Sequence, residues 1–391
     1  MKRAKGDNAR MGRLSQVITW GNLAPGFALL AFTCAPALAQ SSLDDDFKAG
    51  ALDYTAWCPC QINLRDSPYY FTVDPDDPND RILSIPVDDH SLGGNQCRRK
   101  APDFECDPPG TAAKLSVSAK ARKTNAGKVV EDLGPSFFAA RQLGAAKDAR
   151  NRNPYCTDQV MKRALAAKEE DECYERQELR LQEDRAPPAN ERYVYEIRFR
   201  MPAKVDDQTH SIRWVIAQWK QEPVAKKYGE EFGDKWGPSP FLAQRYDDGV
   251  LHVTVQDEHC RCLVASAPHP NGKSFDWTNG AAKECKSTHP VNEGAACSSS
   301  LKLKFGENPV LESPAGRFVD MKYIVQAGRE SVSEIDIFQN GRFIVSVSGK
   351  IGYDVDPLVK PVAKFKIGHY RDYMPFDYVM DIDSIKIRKE R

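Results

Sequence analysis

The sequence predicts an all-β chain folded as a jelly-roll β-sandwich, with a helical insertion and disulfide-held loops. Three observations lead there. From Tyr193 onward, apolar and polar residues alternate in one short run after another. An Asn340-Gly341 pair sits between two such runs, where the positive φ angles of a tight hairpin turn suit it. The 26 prolines, 25 glycines and 14 tyrosines supply turns and aromatic-rich strands, while 41% hydrophobic residues exclude a mostly disordered chain.

Taken in order, Tyr193, Tyr195, Ile197 and Phe199 alternate with Val194, Glu196, Arg198 and Arg200 as far as Pro202, the period of a half-buried strand. A second strand is read over 212–220. Segments 242–246 and 250–255 form a hairpin across Asp247-Asp248-Gly249. Segment 318–326 follows, then the better hairpin of 334–338 and 343–347 around Asn340-Gly341, and finally 364–371 and 378–388. Two stretches break the rhythm. Residues 157–177 are charged and Ala-rich, and read as a helix; residues 257–300, with four Cys among Gly, Asn, Ser and Pro, read as a long disulfide-held loop. The expected organisation is therefore a leader over 1–39 and one domain over 40–391, with insertions near 141–175 and 257–300.

The leader carries Lys2, Arg3, Lys5, Arg10 and Arg13, an apolar stretch over 23–35, and Ala37-Leu38-Ala39 before Gln40, the layout of a signal peptide. Pro25 and Pro36 interrupt the apolar stretch, which is shorter than a membrane span of ~20 residues. A secreted or periplasmic protein with no membrane attachment after cleavage is expected. Cys34 leaves with the leader, and the ten remaining cysteines (58, 60, 97, 106, 156, 173, 260, 262, 285 and 297) imply disulfides in an exported chain. Zinc is the competing reading of Cys58-x-Cys60 and Cys260-x-Cys262, but structural zinc prefers C-x₂₋₄-C, so no metal is assigned. Segment 74–80, with four Asp, lacks the Gly and distal Glu of an EF-hand loop and reads as an acidic surface turn. The 55 basic and 55 acidic residues balance, which argues against a nucleic-acid partner.

Three segments place polar groups on one strand face each. Alternation sends Arg176, Glu178 and Arg180 the same way; it puts Gln218 and Lys220 at the end of the face holding Ile212, Trp214 and Ile216; and it groups Lys364, Lys366 and Tyr370 opposite Phe365, Ile367 and His369. In that order, R-Q-E-L-R at 176–180, Q-W-K at 218–220 and K-F-K-I-G-H-Y at 364–370 resemble the R-x-E-[LV]-R, Q-x-H and Y-F-K-x-G-x-Y motifs of the jelly-roll polysaccharide lyases, which include the alginate, glucuronan and heparin lyases. The resemblance spans roughly 176–388 and departs at one position, where Lys220 replaces the family's His. Either Lys220 substitutes, or His210, His90 or His369 supplies the imidazole; His210 is nearest in sequence to the Gln218 strand.

The resemblance implies an exported lyase that cuts an acidic, uronate-containing polysaccharide by β-elimination, expected to act as a monomer. In that reading the catalytic residues are Tyr370, Gln218, Lys220, Arg180 and His210, and Arg176, Glu178, Lys366, Arg371 and Trp214 bind substrate. Gln218 and Arg180 would stabilise the charge developing on the uronate carboxylate, and Tyr370 would transfer protons, so no cofactor is required. A structural calcium ion would fit the resemblance. Two alternatives are weaker: a carbohydrate-binding sandwich without catalysis, and a glycoside hydrolase, because Glu334-Ile335-Asp336 resembles part of a laminarinase-type signature in which Gln339 replaces the second carboxylate.

Overall fold

A computed structural model of the chain describes residues 42–60, 69–87, 174–205, 213–232, 237–269, 274–356, 358, 360–372, 374 and 376–391. The leader, His90, His210 and most of the expected helical insertion lie outside them. Among the described residues there are eighteen strands, one short α-helix and two 3-10 turns. In chain order the strands are β1 (Leu43–Asp45), β2 (Trp57–Cys60), β3 (Tyr70–Val73), β4 (Arg81–Val87), β5 (Tyr174–Leu181), β6 (Tyr193–Arg200) and β7 (Trp214–Glu222); helix α1 (Lys227–Phe232) follows. Then come β8 (Leu242–Arg245), β9 (His252–Asp257), β10 (Cys260–Ser266), β11 (Gly280–Ala281), β12 (Cys285–Ser287), β13 (Lys302–Phe305), β14 (Val319–Gln326), β15 (Gly328–Gln339), β16 (Arg342–Ile351), β17 (Val362–Asp372) and β18 (Tyr378–Lys389).

The strands form two antiparallel sheets. One runs β11-β13-β16-β15-β14-β6-β18-β4-β3, with β1 also on β18; the other runs β12-β10-β9-β8-β7-β17-β5-β2. Runs β7 to β10 and β14 to β16 pair consecutively, while other chain neighbours, such as β6 and β7, lie in opposite layers. This is the two-layer arrangement of a jelly roll. Between the layers, Trp219 of one sheet meets Tyr195 and Tyr323 of the other with ring centroids 5.5 and 5.0 Å apart, and Phe365 packs on Trp219 at 4.9 Å. Aromatic side chains of this size carry much of the apolar burial that holds the sheets together.

Both hairpins form as expected. Asn340 and Gly341 take φ of 50° and 75°, and the turn before β9 places Asp248 and Gly249 at 55° and 74°. Two expectations are corrected. Segment 257–300 is more than a loop, because Cys260–Ser266 is a strand paired with both β9 and β12. The helix read over 157–177 cannot reach its expected end, because Tyr174–Gln177 already belongs to β5, hydrogen-bonded to β17. The four strands before residue 88 carried no usable alternation.

Cys260 joins Cys297 and Cys262 joins Cys285. Those sulfurs are thus spent in disulfides, although Cys260, Cys262 and Cys285 cluster closely enough to suggest a metal site. In the acidic turn, Asp74, Asp77 and Asp80 accept backbone N–H groups of Asp76, Asn79 and Arg81. These carboxylates cap their own turn and do not converge on a cation. Among the described residues, no helix is long and apolar enough to cross a membrane.

Candidate active site

Strands β5, β17 and β7 lie side by side in the second sheet, and their registers determine which side chains meet. Lys366 stands opposite Arg180 on one flank and Gln218 on the other; Tyr370 stands opposite Arg176 and Val215; Lys364 stands opposite Lys220. The expected faces of β5 and β17 hold. Arg176, Glu178, Arg180, Lys366 and Tyr370 share the outer face, while Phe365 and Ile367 enter the core fully buried. Gly368 makes this close pairing feasible: its φ is 134°, and a Cβ there would collide with the backbone of Gln177 and Glu178.

Strand β7 departs from simple alternation. Its pairing with β8 slips between Val215 and Ala217, and its pairing with β17 slips between Ile367 and Tyr370. This bulge sends both Ile216 and Ala217 to the core side and reverses the phase of everything before them. Trp214 is therefore a core residue, 1% exposed, and does not share a face with Gln218. It lies against Tyr246 and Tyr378 and donates its indole N–H to His369 Nδ1 at 3.0 Å.

The same core side removes two further candidates. His369 is fully buried, its Nε2 donating to the Ile85 carbonyl of the opposite sheet at 2.9 Å. Burial and the neighbouring Arg371 push its imidazole down to about 3, so it stays neutral and cannot reach the outer face. Arg371, expected to bind substrate, follows Tyr370 directly and so points inward. It is fully buried, pairs with Glu175 at 2.6 Å and donates to the Phe376 carbonyl at 2.7 Å.

On the outer face, Glu178 organises the floor. Arg176 Nε donates to its carboxylate at 2.7 Å, Gln218 Nε2 donates to the other oxygen, and Lys366 Nζ lies 4.0 Å away. Burial raises the Glu178 carboxyl, but Arg176 and Lys366 and the two hydrogen bonds outweigh it and hold the group below the usual carboxylate range. Arg176 also covers one face of the Tyr370 ring, 4.7 Å from its centroid. Arg213 lies 4.6 Å from the same centroid, itself paired with Asp372 at 3.1 Å. Sequence reasoning missed Arg213 because the bulge hides its phase.

Arg180 and Lys220 differ from these paired groups. Neither side chain makes an ion pair or hydrogen bond to any of the described residues, and Arg180 Nε is buried without a partner. Burial, reinforced by repulsion from Arg176, pushes the Lys220 amine down to about 8 and that of Lys366 to about 7. A histidine not anticipated from sequence, His252, shares this sheet face. It is fully buried, bonded through Nδ1 to the Val250 carbonyl at 3.0 Å and facing Asp247 at 3.5 Å. The carboxylates of the hydrolase-like segment lie in the other sheet, where Glu334 and Asp336 pair with Arg192 at 2.9 and 3.0 Å.

The polysaccharide lyase family model matches residues 144–387, well over half of the chain and all three motif-bearing strands. The chain belongs to this family. The lyase matches no curated protein in sequence. Among solved structures, it is similar to alginate lyase A1-II', a member of polysaccharide lyase family 7, at 11% identity over 89% of this chain and 100% of that one, with a TM-score of 0.37. It is also similar to an endo-β-1,4-glucuronan lyase from the fungus Trichoderma reesei, at 12% identity over 56% and 75% of the two chains, with a TM-score of 0.32. Such superpositions are loose, so the membership of the lyase rests on the family model.

Proposed function

We propose that this polysaccharide lyase cleaves a uronate-containing polymer by β-elimination on the outer face of the second sheet. The observation that carries the reading is the imbalance of charge there: Arg176, Arg180, Lys220 and Lys366 gather about the Glu178 carboxylate, and Arg180 and Lys220 make no ion pair among the described residues, Glu183 and Glu222 acting on them only from beyond ion-pair range. Cations held part-buried without partners are costly unless a ligand completes them. A uronate carboxylate supplies the missing charge.

In the reaction, a base takes the proton at C5, the electron pair forms the C4–C5 double bond, and the C4–oxygen bond breaks as the leaving oxygen gains a proton. The substrate carboxylate resists this until its developing negative charge is neutralised. Lys366 stands between Arg180 and Gln218 in one cross-strand row, a placement suited to holding that carboxylate by charge-assisted hydrogen bonds. Glu178 serves as a positioning residue that fixes Arg176 and Gln218. Lys220, with its amine pushed down to about 8, has a neutral fraction near neutral pH and takes the part of the base where the family motif has His. Tyr370, its ring gripped between Arg176 and Arg213, delivers the proton to the leaving oxygen. These side chains suffice for the elimination. The disulfides among the described residues and the leader-like N-terminus support action outside the cytoplasm.

The test is ultraviolet absorbance of the products across a panel of polyuronates. Elimination leaves a conjugated 4,5-unsaturated uronate; new reducing ends without that chromophore would indicate hydrolysis, and binding without cleavage a carbohydrate-binding role.

A further inference from the structure

We propose that Arg261, held between the two disulfide-bonded cysteines of the Cys260-x-Cys262 motif, forms a second anion-binding subsite that grips an acidic group of the polysaccharide away from the scissile bond. The proposal rests on the polyuronate reading above. Cys260 and Cys262 point to the core side of β10, at 7% and 0% exposure, and their disulfides anchor the strand to the 285–297 segment. Alternation then sends Arg261 to the outer face, the face that holds Gln218 and Tyr370.

Registers place it more closely. Gln256 of β9 lies opposite Arg261, Phe241 just before β8 hydrogen-bonds to Gln256 and to Trp219, and Lys220 is the next residue of β7. Arg261 therefore continues the Lys220 row three strand spacings away, ~14 Å at the usual separation. That distance exceeds one sugar ring, so the contacted acid belongs to another unit of a polymer lying across the strands.

Arg261 also lacks what an internal structural arginine has. Its side chain makes no ion pair or hydrogen bond among the described residues, Asp247 and Glu293 acting on it only from beyond ion-pair range, its Nε is buried without a partner, and it remains part-exposed. Arg245, its cationic neighbour on this face, is already satisfied by Asp247 through two bonds of 2.8 Å. Two acceptor oxygens near Arg261, Thr254 Oγ1 and Gln256 Oε1, are likewise buried without hydrogen-bond partners among the described residues. They offer a place for the hydroxyls of the same sugar unit.

The experiment uses the full-length chain with disulfides intact and compares Arg261→Ala and Arg261→Lys with the parent. Each is assayed on the polyuronate cleaved fastest and on its shortest cleavable oligomers, with calorimetric binding of the polymer beside turnover. Loss of Arg261 is expected to raise the polymer KM by about tenfold or more, in line with losing a charge-assisted contact. The kcat and the constants for the shortest oligomers should stay nearly unchanged, and Lys should restore part of the loss. Unchanged polymer KM and affinity in Arg261→Ala would overturn the subsite, as would an equal loss on the shortest oligomers. If no polyuronate is cleaved but Arg261→Ala still weakens its binding, the subsite stands and the elimination reading falls.

Discussion

The two faces of β17 carry similar residue types to opposite ends. Inward, Arg371 meets Glu175 at 2.6 Å with both side chains at 0% exposure, and His369 has a donor on one nitrogen and a carbonyl on the other. Outward, one strand away on either side, the Lys220 and Arg180 side chains make no ion pair among the described residues. Matched buried charge belongs to the architecture, whereas unmatched charge on a sheet face is a demand that a ligand fills. This contrast, more than the count of basic residues, separates the site from the scaffold in a chain of zero formal net charge.

The largest expected effect lies on the inner face. Arg371→Met leaves the Glu175 carboxylate buried beside an apolar chain and removes the donor to Phe376, so unfolding stability should drop by about 3–5 kcal/mol. Urea denaturation followed by tryptophan fluorescence measures it. A double variant, Arg371→Met with Glu175→Leu, should recover much of the loss, since both charges are then gone. If Arg371→Met unfolds at the parent's urea concentration, the inner pair is not the matched structural element described above.

The smaller effect has the opposite sign and lies on the outer face. Lys220 has its amine pushed from 10.5 down to about 8 in the folded chain. Between those values the unfolded chain holds a proton that the folded chain has released, so the stability contribution of Lys220 is least below about pH 8 and rises with pH up to about 10.5. Lys220→Met should therefore stabilise the protein at neutral pH, by something of order 1 kcal/mol, and flatten the rise in stability toward alkaline pH. It should also abolish most of the turnover. A Lys220→Met protein that is less stable than the parent at neutral pH would show that Lys220 has a structural partner after all.

The sequence made the sandwich legible wherever strands were long and half-buried. Tyr193–Arg200 alternates cleanly, Tyr378–Lys389 alternates on either side of a bulge between Ile382 and Ser384, and the Asn340-Gly341 turn announces its own geometry. The N-terminal strands were not legible, because segments as short as Leu43–Asp45 are defined by pairing to β18 and not by any local period. The site was readable on β5 and β17, where the period of two is unbroken through 176–180 and 364–371. It was misread on β7, because one bulge at Ile216 and Ala217 costs nothing in local composition yet inverts the faces before it; that single irregularity moved Trp214 into the core and concealed Arg213. His252 escaped notice because its neighbours on the outer face, Arg245 and Asp247, come from a different strand and turn.

The central claim is that the outward, unmatched groups perform elimination with Tyr370 as proton donor, and Tyr370→Phe tests it most directly. The change removes one oxygen and keeps the ring between Arg176 and Arg213. The thermal midpoint and polysaccharide affinity should stay close to those of the parent, while formation of the 4,5-unsaturated product on the best polyuronate should fall by about 10²- to 10⁴-fold. Near-normal formation of that product by Tyr370→Phe would contradict the account and would mean that another group protonates the leaving oxygen.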